Sequence, residues 1–192
     1  PTYSGSLEIR QTGEGLTLVN DLYLEDYLEK VVPSEMPPSY EMEALKAQAV
    51  CARTYAYRQI LGNSYSQYGA HVDDSTNFQV YNNTSADART SQAVNETYGK
   101  MLFYGEEPAQ AFYYSTSCGR GADGSVWGSE GAALPYLKSK EIKEGGGELD
   151  EGDNGDFAAY IRGTDRTAFD SSFAMFRWET DISADILTAQ IS

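Results

Sequence analysis

The sequence predicts a mixed α+β fold: hairpins and short strands wrapped around one central Ala-rich helix, with a cleft at the loop leading into that helix. Three observations carry this. Residues 4–10 and 15–20 alternate apolar and polar, the period of a strand. Residues 40–61 form one long helical pattern in which Ala44, Ala47, Ala49, Ala52 and Ala56 leave small side chains on nearly every side. After Asn77, Phe78–Tyr81 reads as a short strand ended by Asn82-Asn83, and Gly105-Glu106-Glu107-Pro108 reads as the turn of a second hairpin.

Taken in order, Gly13-Glu14-Gly15 turns the first two strands into a hairpin. Leu24, Tyr27, Leu28 and Val31 recur at helical spacing, so Leu24–Lys30 is expected to be a short helix. A loop bracketed by prolines follows, Pro33-Ser34-Glu35-Met36-Pro37-Pro38. The pair Pro37-Pro38 biases Met36 to extended geometry, and Ser39 is a candidate N-cap. The long helix then runs from about Tyr40 to Leu61 and stops at Gly62-Asn63. Lys46 and Arg53 stand two turns apart on one of its faces, with Val50 between them and Tyr57 beyond. Gln48 points elsewhere and is expected to bond a buried backbone group.

Residues 63–78 read as a polar surface excursion and Phe78–Tyr81 as a short strand. Ala86–Thr97 has helical character, with Ala86, Ala93, Val94 and Thr97 on one face and Gly99 closing it. Lys100–Tyr104 and Gln110–Thr116 read as strands around Gly105-Glu106-Glu107-Pro108. The second ends in a hydroxyl- and Gly-rich turn, residues 115–121, a position where sites tend to be placed. Residues 140–156 are acidic and Gly-rich, the pattern of a surface loop. A helix over Asp156–Arg162, a strand over Phe176–Ile182 and a last helix, ADILTAQ, cut by the chain end complete the expectation, within one domain over residues 1–192.

Composition narrows the function. A formal net charge of −15 argues against a nucleic-acid binder or an anionic-membrane binder, both of which need a basic surface. No apolar run is long enough to span a bilayer. A single histidine, His71, cannot build a His-based triad with redundancy, and no HExxH or CxxC spacing suggests zinc. The 15 tyrosines suit half-buried strands first and carbohydrate or peptide binding second. Glu35, alone between prolines just before the long helix, is by its own pattern either a solvated loop residue or a catalytic acid.

The segment YLEKVVPSEMPPSYEMEALKAQAVCARTYAYR, residues 27–58, resembles the signature of the stage II sporulation protein D / amidase-enhancer family. The blocks NDLYLEDYL, FQVY, AVNETYGKML, AFYYSTSCG and LPYL match in the same order. The resemblance implies action on peptidoglycan in the exported cell envelope, either as a lytic transglycosylase or as a non-catalytic enhancer of a cell-wall amidase. In the family's enzymes the Glu of the SEMP motif is the catalytic acid, which corresponds here to Glu35. The resemblance carries substrate binding onto Lys46, Arg53, Gln79, Tyr114, Ser115 and Ser117, and it implies no cofactor. The alternatives stay open on the residues themselves: Lys46 and Arg53 suit salt bridges to nearby carboxylates as well, and Ser115 and Ser117 suit turn caps.

Two departures from the family pattern are both to cysteine, Cys51 and Cys118, which suggests a disulfide between them or else two free thiols. Some members hold zinc through Cys and His near the FQVY block. Here residues 71–78 read HVDDSTNF, with one His and no Cys, so no metal is expected. The chemistry the resemblance implies uses one carboxyl. The muramyl C6 hydroxyl is the nucleophile, so no second carboxylate is required, unlike the two-carboxylate hydrolases.

Overall fold

The hairpin forms where the alternation places it. β1 (Ser6–Thr12) and β2 (Gly15–Asp21) pair antiparallel, with Ser6 opposite Asp21 and Thr12 opposite Gly15. Gly15 takes a φ of +130°, which a residue with a Cβ rarely adopts. The alternation puts Leu7, Ile9, Leu16 and Leu18 on one face, and that face is exposed, Ile9 at 74% and Leu16 at 79%. The other face, with Glu8, Arg10, Thr17 and Val19, borders a cleft of about 850 Å³ that tyrosines also line, among them Tyr27, Tyr65 and Tyr81. The computed structural model describes residues 3–13, 15–148, 154–163 and 166–184.

α1 (Leu24–Glu35) is five residues longer than its periodicity suggested and runs through Pro33 to Glu35. A proline there has no N–H for the Glu29 carbonyl. The loss is confined to the last turn, where Ser34 Oγ donates to the Lys30 carbonyl at 2.7 Å and the Met36 N–H donates to the Val32 carbonyl at 2.9 Å. Met36 is extended (φ −135°, ψ 129°), as the following proline requires. The Pro-bracketed loop therefore shrinks to residues 36–41, and Glu35 is the last helical residue rather than a loop residue.

α2 (Met42–Leu61) starts two residues later than expected, and its N-cap is Glu41, not Ser39. It buries one stripe (Leu45, Gln48, Ala49, Ala52, Arg53, Ala56) and leaves Ala47 and Leu61 exposed, so it is not enclosed all round. α3 (Ala88–Glu96) is capped by Asp87, whose side chain accepts the N–H groups of Arg89 and Thr90. The three helices pack on each other through Leu28, Val31, Val32, Ala49, Ala52 and Val94.

The later strands depart from their patterns. Gln110–Thr116 forms no strand, and of Lys100–Tyr104 only β3 (Phe103–Tyr104) is a strand; its partner β4 (Glu107–Pro108) lies in the expected turn, around Gly105 at φ +62°. They are tied to α2 instead of extended as a sheet: Thr54 Oγ1 accepts the Leu102 N–H at 3.0 Å, and Arg58 donates to the Pro108 carbonyl at 2.8 Å. Phe78–Tyr81 joins no sheet, because its amides go elsewhere, Val80 N–H to a side chain and Tyr81 N–H to the Asp74 carbonyl.

The chain divides into two compact units, Pro1–Tyr113 and Tyr114–Ser192. The second holds β5 (Arg120–Gly121) paired with β6 (Lys140–Glu141), then α4 (Gly128–Ala132) and α5 (Asn154–Arg162), the last matching its expected helix. The strand expected over Phe176–Ile182 is instead a 3₁₀ turn, Ala174–Phe176, followed by unpaired chain. Most of ADILTAQ and part of 140–156 lie outside the described residues. The class is the expected mixed α+β, with helices and small antiparallel sheets. Among the described residues no helix is long and apolar enough to cross a membrane.

Candidate functional site

Glu35 closes α1, partly exposed, where the helix gives way to the Pro37 turn. Its Oε1 accepts two hydrogen bonds, from the Val80 N–H at 2.7 Å and from the Tyr113 hydroxyl at 3.3 Å. Both fall on the same oxygen, and Oε2 accepts none among the described residues. The neighbouring turn of helix is pinned to the same strand-like segment, since the Asn82 N–H donates to Ser34 Oγ and Lys30 Nζ donates to the Thr84 carbonyl.

Behind Glu35 lies a buried polar chain. The Tyr27 hydroxyl donates to Gln79 Oε1 at 3.3 Å, Gln79 Nε2 donates to the Tyr113 hydroxyl at 3.0 Å, and Tyr113 donates to Glu35. The second N–H of Gln79 Nε2 goes to the Ala52 carbonyl on α2 at 3.2 Å. Burial pushes the Tyr27 and Tyr113 hydroxyls well above their ordinary range, and the negative charge of Glu35 adds to the rise in both. Both therefore keep their protons and can act as donors throughout the neutral range. Tyr27 also stacks on Tyr81, centroids 5.6 Å apart.

The other residues singled out from the sequence are placed differently. Gln79 is 1% exposed, with both ends of its amide engaged inside the protein, so it supports the site and cannot touch a substrate. Arg53 is also 1% exposed. It donates to both Glu25 carboxylate oxygens at 2.8 Å, and to the Val94 carbonyl, the Lys100 carbonyl and Thr97 Oγ1. A guanidinium has five N–H donors, and all five are committed here. Lys46 bridges Glu43 at 2.8 Å within α2 and Glu96 at 2.6 Å, and the second bridge joins α2 to α3. The hydrogen bonds that Lys46 donates, to Glu43 first and then Glu96, raise its ammonium above its usual range, and Lys46 holds Glu96 below the usual carboxylate range. The cationic row thus makes the salt bridges that its residue types allowed, and neither cation contacts Glu35. Gln48 is buried, but its Nε2 has no partner, so the expected backbone bond from that atom is not formed.

Tyr114, Ser115 and Ser117 belong to the second unit. Tyr114 and Ser115 are exposed there. Ser117 is used internally, since its N–H and Oγ both donate to Asp170 Oδ2, at 2.6 and 2.7 Å, and its Oγ accepts the Gly119 N–H. That is the turn-cap use of the serine.

The disulfide is not formed: Cys51 and Cys118 are both free. Each belongs to a different compact unit and is accommodated within its own. Cys51 faces a pocket of about 510 Å³ that it lines with Lys46, Val50 and Glu96, and burial pushes its thiol up. The Cys118 thiol is directed at the Arg120 carbonyl, 3.7 Å away. Among the described residues no group of three or more His, Cys, Asp or Glu side chains is placed to hold a metal ion.

Two members of the Glu35 support, Tyr27 and Tyr113, escaped the sequence reading. Tyr27 shares the apolar helical stripe of Leu28 and Val31 and reads as core. Tyr113 stands next to Tyr114, and along an extended chain adjacent side chains point to opposite faces, so a shift of one position exchanges a half-buried donor for an exposed ring.

Comparison with known proteins bears on the family. Residues 12–104, which include Glu35 and its Val80 contact, match the sequence model of the family described as Stage II sporulation protein. The chain is 38% identical over 135 residues to a stage II sporulation protein D of Bacillus subtilis, covering 63% of this chain and 39% of that protein. It is 43% identical over 115 residues to an amidase enhancer of the same organism, covering 59% of this chain and 15% of that protein. An uncharacterised protein of Brachyspira hyodysenteriae is 41% identical over 136 residues, covering 70% of this chain and 36% of its own length. The chain therefore spans well under half the length of the curated relatives it matches. The SEMP motif, the FQVY block and the long helix all lie inside the matched stretch, so across residues 12–104 the chain is similar to the family described as Stage II sporulation protein.

Proposed function

We propose that this chain carries a peptidoglycan lytic transglycosylase centre that cleaves the MurNAc–GlcNAc bond of denuded glycan, with Glu35 as its single acid and base. The observation that carries the reading is the asymmetry of the Glu35 carboxyl: Oε1 is anchored by two donors, and Oε2 has no partner among the described residues, on a partly exposed residue. In the first half of the reaction Oε2–H protonates the glycosidic oxygen as the bond to the anomeric carbon breaks. In the second, the muramyl C6 hydroxyl bonds to that carbon and gives its proton to Glu35. The product is a 1,6-anhydro-muramyl end, no water is consumed, and the enzyme regains its starting protonation. No second carboxylate is needed at hydrolase spacing.

In this reading Arg53 is scaffold rather than a substrate ligand, because it has no donor to spare. Lys46 keeps a partly exposed ammonium and is the proposed partner for a muramyl carboxylate, which would replace one of its two glutamates. The proposal rests on the first unit alone.

Incubation with denuded glycan strands and mass spectrometry of the products is the test. Wild type should produce anhydro-muramyl ends, and Glu35→Gln should lower their rate about 10²–10⁴-fold, the usual contribution of a positioned acid–base group. The 43% identity to an amidase enhancer favours a second reading, a non-catalytic glycan-binding module of the cell envelope that aids an amidase. Binding to the strands with no new ends, unchanged in Glu35→Gln, would select that reading.

A further inference from the structure

The chain behind Glu35 has a single direction. Tyr27 donates to Gln79, Gln79 to Tyr113 and Tyr113 to Glu35 Oε1, and every link lies among buried or half-buried groups. Three features make this more than a satisfied cluster. Gln79 Nε2 donates with both hydrogens, one to α2 and one to Tyr113, so its amide cannot rotate without breaking two bonds and leaving a buried carbonyl unpaired. The Tyr113 hydroxyl accepts from Gln79 and has one hydrogen left, which points the donor at Glu35 and nowhere else. The Val80 N–H, one residue from Gln79, lands on the same Glu35 oxygen. Two donors on Oε1 favour the carbonyl-like or anionic oxygen there, and a protonated carboxyl then carries its hydrogen on Oε2.

We infer that Tyr113, oriented by Gln79 and Tyr27, is a positioning residue that assigns the two oxygens of Glu35 their separate tasks, holding Oε1 as the anchored acceptor and leaving Oε2 to exchange the proton with substrate. The inference rests on the reading of Glu35 as the acid. Tyr113 touches no substrate and transfers no proton. It acts by fixing the side-chain torsions of Glu35, so its loss lowers the fraction of bound complexes in which Oε2 faces the glycosidic oxygen. That affects turnover and not affinity. The raised ionisation range of both tyrosines keeps the donors protonated at every pH at which the protein would work.

Two measurements on the same variants test it. With denuded glycan, Tyr113→Phe should lower kcat about tenfold with KM within about twofold of wild type, since the ring is retained and one hydrogen bond to an ionisable group is lost. Independently of activity, ¹³C-labelled glutamate gives a carboxyl resonance for Glu35, assigned by its absence in Glu35→Gln. That resonance should move in Tyr113→Phe and move less in Tyr27→Phe. In the Tyr113→Phe background, Tyr27→Phe should move it no further, because the side-chain hydrogen-bond path from Tyr27 to Glu35 runs through the Tyr113 hydroxyl. A Glu35 resonance unmoved by Tyr113→Phe overturns the inference, as does a Tyr27→Phe effect of equal size with and without the Tyr113 hydroxyl. If wild type forms no anhydro-muramyl ends, the functional reading fails by itself, and the resonance still decides the network.

Discussion

At the scale of single residues, what distinguishes Glu35 is the difference between its two oxygens, set by Val80 and Tyr113. The tyrosines that support it leave a signature in the pH dependence of stability. Both hydroxyls are harder to ionise folded than unfolded, so above their ordinary value of 10.0 the unfolded chain binds fewer protons than the native one. Their contribution is complete below about pH 10 and is lost as the pH rises beyond it. Urea unfolding midpoints should be level in this respect between about pH 8 and 9 and fall above about pH 10, and a Tyr27→Phe/Tyr113→Phe double variant should show a shallower fall. The cysteines give a second prediction at this scale. Two thiols per chain should react in the unfolded, unreduced protein, and in the folded protein Cys51 should be slowed, because burial keeps its thiol protonated and the thiolate is the nucleophile.

At the scale of elements, the three-helix cluster is locked by Arg53. One buried guanidinium joins α1 through Glu25 to the end of α3 and the chain after it, through Val94, Thr97 and Lys100. Arg53→Met would keep the apolar stem and strip the donors from a carboxylate and two carbonyls. A loss of about 3 kcal/mol in urea unfolding is expected, the lower end for breaking a buried pair, because the Glu25 side chain is 23% exposed. A loss below about 1 kcal/mol would show that water replaces the network at little cost. The same element scale explains why the helix before Glu35 was only half legible. The stripe Leu24, Tyr27, Leu28, Val31 is plain in the sequence, but Pro33 reads as a stop. The helix continues because proline costs one hydrogen bond in its last turn, while Ser34 and Glu35 gain anchors on the segment of residues 80–82. A proline rule is local, and these anchors are not.

At the scale of the whole molecule, charge sets how the protein meets its proposed substrate. Denuded glycan carries muramyl carboxylates, and the chain carries a net −15. Two like-charged bodies repel over the Debye length, which shortens from about 30 Å at 0.01 M salt to about 10 Å at 0.1 M. Sedimentation with denuded strands should therefore show binding that strengthens over that range, the reverse of a basic wall-binding protein. The opposite trend would show that local cations such as Lys46 dominate the encounter. The two compact units also bear on what was legible: Tyr114, Ser115 and Ser117 share one sequence block with Tyr113, yet the unit boundary falls between Tyr113 and Tyr114. A block read as one motif thus supplies a half-buried donor to the first unit and surface or turn residues to the second.

By itself the sequence determined the α+β class, the first hairpin, the long helix and the singling out of Glu35. Each of these follows from periodicity, from turn and proline chemistry, or from a run of motif blocks, all properties of neighbours along the chain. Only the tertiary structure decided that Glu35 ends a helix, that one of its oxygens is anchored while the other has no partner among the described residues, and that Arg53 and Gln79 face inward. It also decided that Tyr113 stands behind Glu35 and that both cysteines are free. The physical reason is distance along the chain. The bonds that fix Glu35 reach 45 and 78 residues away and those of Arg53 up to 47, and no local preference encodes which of many donors will meet a carboxylate once the helices have packed.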